Sequence, residues 1–369
     1  MERSKLPALI AWPRLAAVGG TRIGERTPLG EVAAFDGGLV ELADRAWAWL
    51  QPNGGLGESN AGLIVGEGES MLIDTLWDAP LTRRMLAAAD PATRGAGAPI
   101  RRLLNTHGDG DHWYGNGVVD AEVEIVASEA AIEQMRAEPP AMLTRLAPVG
   151  TVAGLAGRVP RLPGAASMRG LGRFGKALGS YEFGGLEPRV PERSFSGSLG
   201  LEVGGRRVEV IEVGPAHTAG DAIAWLADAR VAYLGDIVFN GVTPIMWAGP
   251  VENWIAALER IELLEPDVVL GGHGPPCGVA EVRLLREYWT WLRDEVADSG
   301  DESPARLAER LARSRAYLAE PWGEWRNRER TLVNVSRIAA TRGGSEGGIG
   351  TLERIRLIAA MGALGERLG

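Results

Sequence analysis

Three residue types are scarce in this chain. Among 369 residues there is one cysteine, Cys277, four histidines, and lysine only at positions 5 and 176. One cysteine excludes an intramolecular disulfide framework and fits a reducing compartment. No apolar run approaches the ~18 residues that a membrane-spanning helix needs. The first residues, MERSKLPALIAW, carry charge, a short apolar stretch broken by Pro7 and no convincing cleavage site, so the expectation is a cytoplasmic protein with no membrane partner. A net charge of −9 and the lack of a basic stripe argue against DNA or RNA as a partner. What remains is ordinary for a soluble globular protein: 45% hydrophobic and 24% charged residues, enough for one large domain or one domain with an appendage.

Along the chain, residues 1–35 read as a loosely structured arm. From Leu39 the pattern is β-like, with two apolar runs joined by the turn at 66–70, then a helix over PLTRRMLAAA and a strand over IRRLLNT. AEVEIVAS is a strand leading into a helix over 129–138. Residues 139–195, rich in Gly, Pro and Arg, break the alternation and read as a long irregular, lid-like insert. Strands resume with SLGLEV, RRVEVIEVG, AIAWLA and RVAYLG, followed by a helix over ENWIAALERIELL and a strand DVVL. After Gly278 the pattern is helical in three or four segments, broken near Gly300, Pro321 and RGGSEGGIG. The helix EVRLLREYWTWLRDEV carries Leu285, Trp289 and Leu292 on one side, which suits core or a homodimer contact.

Every histidine stands at a strand end or in the loop after it: His107 and His112 in THGDGDH, His217 in GPAHTAGD and His273 in GGHGPP. One such histidine would be unremarkable. Four, each in a glycine-rich turn among acids, point to side chains that converge from separate loops. Imidazole and carboxylate are the ligands shared by zinc, iron and manganese.

These motifs resemble the metallo-β-lactamase fold superfamily, in the right order over roughly residues 36–277. The family's pattern is His-x-His-x-Asp-His, then a His, a bridging Asp and a last His. His107, Asp111 and His112 match the first motif, His217 the second, Asp236 in YLGDIVF the bridge and His273 the last, while Asp74 in LIDT matches an early aspartate that supports the site without binding metal. The departure is Asp109, where most members have the second histidine. The resemblance implies a four-layer αββα sandwich, an α/β fold, spanning 36–277, with a helical C-terminal extension over 278–369. It also implies two divalent metal ions roughly 3.5–4 Å apart. His107, Asp109 and His217 would hold the first metal, Asp111, His112 and His273 the second, and Asp236 would lie between them.

The activity so implied is metal-dependent hydrolysis of an ester, lactone or thioester of a small, partly apolar molecule, with Asp111 orienting the nucleophile and accepting its proton. Zinc is the first expectation. A carboxylate at 109 hardens the donor set towards iron or manganese, and flavodiiron proteins carry a carboxylate there. A di-iron redox or oxygenase enzyme is therefore the alternative, although nothing after residue 278 resembles a flavodoxin-like domain. Other readings are a non-catalytic member, and Asp109 as a non-ligand that leaves the first metal short. Asp221 is expected to tie down its own loop, and Cys277 to be a buried, inert thiol. Trp77, Trp113, Tyr114, Phe239, Met246 and Trp247, with Arg173, Tyr181 and Phe183 of the insert, are the candidates for lining a pocket.

Overall fold

The computed structural model describes residues 17–159, 162–342 and 349–369. Its first sheet runs in chain order through β1 (Val18–Gly19), β2 (Gly38–Ala43), β3 (Ala46–Leu50), β4 (Ala61–Val65), β5 (Ser70–Ile73), β6 (Ile100–Leu104), β7 (Glu124–Ser128) and β8 (Arg193–Phe195). Pairing is antiparallel as far as β5 and parallel from β5 to β8. The second sheet holds β9 (Ser198–Val203), β10 (Arg206–Glu212), β11 (Ala222–Leu226), β12 (Val231–Phe239) and β13 (Val268–His273). Its last pair, β12 with β13, is parallel.

Period-2 alternation stacks the two sheets. In β4, Ile64 points into a core shared by both sheets, while Leu63 and Val65 face the opposite way. In β11, Ala222, Ala224 and Leu226 meet that shared core and Ile223 and Trp225 face outward. Because both faces of these strands are buried, their sequence is a continuous apolar run. Helices α1 (Ala79–Ala89) and α2 (Glu129–Ala137) cover the first sheet, and α5 (Val251–Leu264) and α6 (Val279–Ala297) the second. The layers are therefore helix, sheet, sheet, helix, as expected.

The insert is more regular than its composition suggests. It contains α3 (Pro140–Ala156) and α4 (Ala165–Leu178), an antiparallel hairpin of helices, followed by residues 179–192, which form neither helix nor strand. The glycines that read as breakers are where backbones meet: a Cβ on Gly154 would press on Gly172, and one on Gly150 on Gly175. Each costs about 1 kcal/mol of helix propensity relative to alanine, a cost set against closer packing.

After α6 come α7 (Pro304–Arg313), α8 (Arg315–Ala319), α9 (Thr331–Thr341) and α10 (Thr351–Leu368), more breaks than the glycines and prolines announced. Ser314 makes the extra one, ending α7 and capping α8 by accepting from the Tyr317 amide. Leu285, Trp289 and Leu292 of α6 lie in the core against the second sheet, with Trp289 4.5 Å from Trp254 of α5. Helix α10 returns across the molecule to α4, where Gly170 and Gly362 touch. Of the N-terminal arm, residues 1–16 lie outside the described part; from residue 17 it contributes β1 and a bridge between Arg26 and Val32.

Candidate metal centre

The chain folds so that the ends of β5, β6, β12 and β13 and the loop between β10 and β11 meet in one place. Asp74 follows β5 directly in a left-handed backbone conformation, φ 62°, which is strained for a non-glycine residue. There its carboxylate accepts from the Thr106 amide (2.7 Å), the Thr106 hydroxyl (2.7 Å) and the His112 Nδ1–H (2.9 Å). Because the Thr106 hydroxyl donates to Asp74, its oxygen accepts from His107 Nδ1, 2.9 Å away. The His217 Nδ1–H donates to the Ile245 carbonyl at 2.6 Å. All three rings thus keep a proton on Nδ1 and turn Nε2 inward.

Asp236 stands among those nitrogens. Its Oδ1 lies 3.2 Å from His112 Nε2, and its Oδ2 lies 3.2 Å from His217 Nε2, 3.5 Å from His273 Nε2 and 3.9 Å from His107 Nε2. Gly272 makes room for it: a Cβ there would overlap Asp236 Oδ1. His273 stacks on Phe239 with rings 5.2 Å apart and 1° from parallel, and its Nε2 is 3.5 Å from Asp111 Oδ2. His107 with His217 and Asp236, and Asp111 with His112 and His273, form two clusters, each with donor atoms within 4.8 Å of one another.

The donor set fits cations. The Nε2 atoms of His107, His112 and His217 and Oδ1 of Asp236 are buried without a hydrogen-bond partner, a costly arrangement unless something electron-poor sits between them. Burial, aided by His112, lowers His107 to about 3, so its ring is a neutral donor. Burial disfavours charge on His217 too, but Asp236 and Asp109 outweigh it and raise that ring to about 9, so a bound cation would have to displace a proton there.

Asp109 is held differently from a histidine. Its Oδ2 lies 3.3 Å from His217 Nε2, facing the centre. Both of its oxygens accept from Arg354 Nη2, at 2.7 and 2.6 Å, and Oδ1 also accepts from Gln134 Nε2 at 2.8 Å. Burial works to raise the carboxyl, but Arg354 and then His217 hold it well below the usual carboxylate range. Arg354 itself stacks 4.4 Å over Trp247 and donates to Glu138 at 2.8 Å.

A family model for the metallo-beta-lactamase superfamily matches residues 54–273, ending at the last histidine. The chain belongs to the metallo-beta-lactamase superfamily. Among members of known structure it is similar to a family protein from Thermus thermophilus, at 17% identity and a TM-score of 0.55 over 82% of this chain and 95% of that one. It is also similar to the stereoselective inverting sec-alkylsulfatase of Pseudomonas sp., at 16% identity and a TM-score of 0.63 over 89% of this chain and 58% of that one. In sequence it is 23% identical, over 69% of its own length, to a linear primary-alkylsulfatase from Pseudomonas sp. (strain ATCC 19151), of which it spans about half, 51%.

The structure brings His107, Asp109, Asp111, His112, His217, Asp236 and His273 together in one cluster, with Asp74 beside His107 and His112. Asp221 serves its own loop, accepting from the Thr218 amide and hydroxyl and the Ala216 amide. Several pocket candidates are packed into the walls around the cluster. Trp113 and Met246 are fully buried, and Tyr114 donates to the Glu138 carbonyl. Arg173 donates to the Gly362 carbonyl and lies 3.7 Å from Glu366, both on α10. Tyr181 and Phe183 pack on Trp77, at 4.7 and 5.2 Å.

Sequence reasoning missed the residues that shape the loops. Asn105 and Asn116 bond each other and, with Thr75, fix the His112 carbonyl. Asn60 straps the end of β13 through the Gly271 and Gly274 carbonyls. Isolated amides carry no motif. Arg354 and Gln134 were equally silent, lying in helices whose periodicity speaks only of packing.

Proposed function

We propose that this protein is a dinuclear metal-dependent hydrolase acting on an ester-type bond of a small, partly apolar molecule. The observation that carries this reading is the set of buried, unpartnered Nε2 atoms of His107, His112 and His217 around Asp236. His107, Asp109 and His217 would hold one divalent ion, Asp111, His112 and His273 the other, and Asp236 would contact both. Such a pair supplies a Lewis acid and activates water near neutral pH. Asp74 and the Ile245 carbonyl keep the imidazoles in the ligating tautomer. Asp111, at the rim of the buried cluster with its side chain 15% exposed, is placed to orient the attacking water and take its proton.

The bond class follows from chemistry and from the alkylsulfatase relatives together: a sulfate ester joins the carboxylic ester, lactone and thioester as a substrate class. Arg354 offsets part of the negative charge of Asp109, but the donor there stays a carboxylate oxygen, so the di-iron redox alternative is kept for the metal analysis to decide. A non-catalytic member is opposed by the complete donor set. A cytoplasmic location is supported by the single, buried thiol, and zinc remains the first choice of metal.

The test is reconstitution of purified protein with zinc, manganese or iron, followed by elemental analysis. The loaded protein is then offered a nitrophenyl ester, an aliphatic lactone, an acyl thioester and a primary alkyl sulfate. Turnover of one class with two metals per chain is expected. Two irons with an oxo-bridge absorption band and no cleavage of any class would replace the hydrolase by the redox reading.

A further inference from the structure

We propose that Arg354, delivered by the last helix, is the positioning residue that allows Asp109 to stand where a histidine would, which makes α10 a working part of the centre. This inference rests on the metal-centre reading above and adds the residue that adapts the centre to a carboxylate.

The hydrogen-bond inventory of Asp109 carries the argument. A carboxylate offers about four lone-pair directions on two oxygens. Gln134 Nε2 and Arg354 Nη2 occupy Oδ1, and Arg354 Nη2 also reaches Oδ2. What is left is one direction on Oδ2, the oxygen 3.3 Å from His217 Nε2. The carboxylate therefore presents a single donor atom towards the cluster, as one imidazole Nε2 would. Without this clamp, rotation about χ2 would exchange the two oxygens freely.

Charge concerns the cluster before a cation arrives. Replacing a neutral ring by aspartate adds one negative charge to a buried cluster that already holds Asp111 and Asp236, and Arg354, shared with Glu138, offsets part of it. A bound cation would gain from that charge, so the effect of Arg354 on metal binding is carried by the geometry of the clamp. Arg354 is itself well held: its side chain is 17% exposed, Glu138 takes its Nη1 at 2.8 Å, and the Trp247 ring lies 4.4 Å beneath it. The α4–α10 contact at Gly170 and Gly362 sets how near the helix comes. The planar guanidinium suits this clamp in a way that a lysine ammonium does not.

The experiment is a double-mutant cycle read by metal content and by competition with a chelator, with folding checked by circular dichroism. Arg354→Met should weaken the more weakly held metal at least tenfold and lower its stoichiometry from two towards one. Arg354→Lys should recover part of the affinity. In an Asp109→His background, which removes the carboxylate that Arg354 orients, Arg354→Met should change metal affinity less than threefold. A purely structural role for Arg354 would weaken both backgrounds equally, and that result would overturn the inference; so would unchanged affinity in the single variant. Wild-type protein that holds no metal after reconstitution would instead remove the metal-centre reading itself.

Discussion

At the scale of single residues, Asp74 shows how much one side chain outside the ligand set controls. It accepts three hydrogen bonds, two of which fix the rings of His112 and, through Thr106, His107. Asp74→Ala should therefore weaken metal binding by about 10–100-fold, measured by chelator competition, while a fold-only role would leave affinity unchanged in the folded fraction. Cys277 makes a contrasting prediction. It is buried, and burial pushes its thiol far above the ordinary range. A thiol reagent at pH 8 should label it only when the protein is unfolded; rapid labelling of the native protein would contradict its placement. Asp109 shows where sequence reading stops at this scale. The carboxylate was visible as an exception to a pattern, but its partner Arg354 lies 245 residues away in a helix with no distinguishing signature.

Among the elements, strands and histidine loops were the legible part. Apolar runs bounded by glycine are local properties, and each histidine follows one, so the strands and the cluster could be read directly, while the four layers were implied by the motifs' resemblance to a family. The helices of 139–195 could not. Their packing replaces apolar side chains by glycine backbone contacts, which periodicity does not register and composition reads as irregular. The same contacts yield a test. Gly172→Val in α4 would press a branched side chain on Gly154 of α3. Overpacking of this kind costs typically 1–3 kcal/mol, so the thermal midpoint should fall by several degrees; an unchanged midpoint would mean that α3 and α4 are not closely packed. Helix α6 resolves another open choice, since its aromatic face turned out to be core.

For the whole molecule, two halves of the chain each contribute part of one centre: His107 to His112 from the first sheet's strand ends, His217 to His273 from the second. Holding them together against the mutual repulsion of Asp109, Asp111 and Asp236 is work that bound cations would share with Arg354. A ligand that binds only the folded state stabilises by about 2.7 kcal/mol at one hundred times its Kd. Chelation should thus lower the melting temperature in a way that added metal reverses, followed by calorimetry. A melt unaffected by chelator would mean that the cluster is stable without cations. The most direct measurement is the metal-to-protein ratio of the reconstituted chain beside that of Asp236→Ala, the carboxylate within 4 Å of all four histidine Nε2 atoms. Two metals per chain, lost or reduced below one in the variant, is the predicted result. No metal in the wild type, or two in both, would contradict the account.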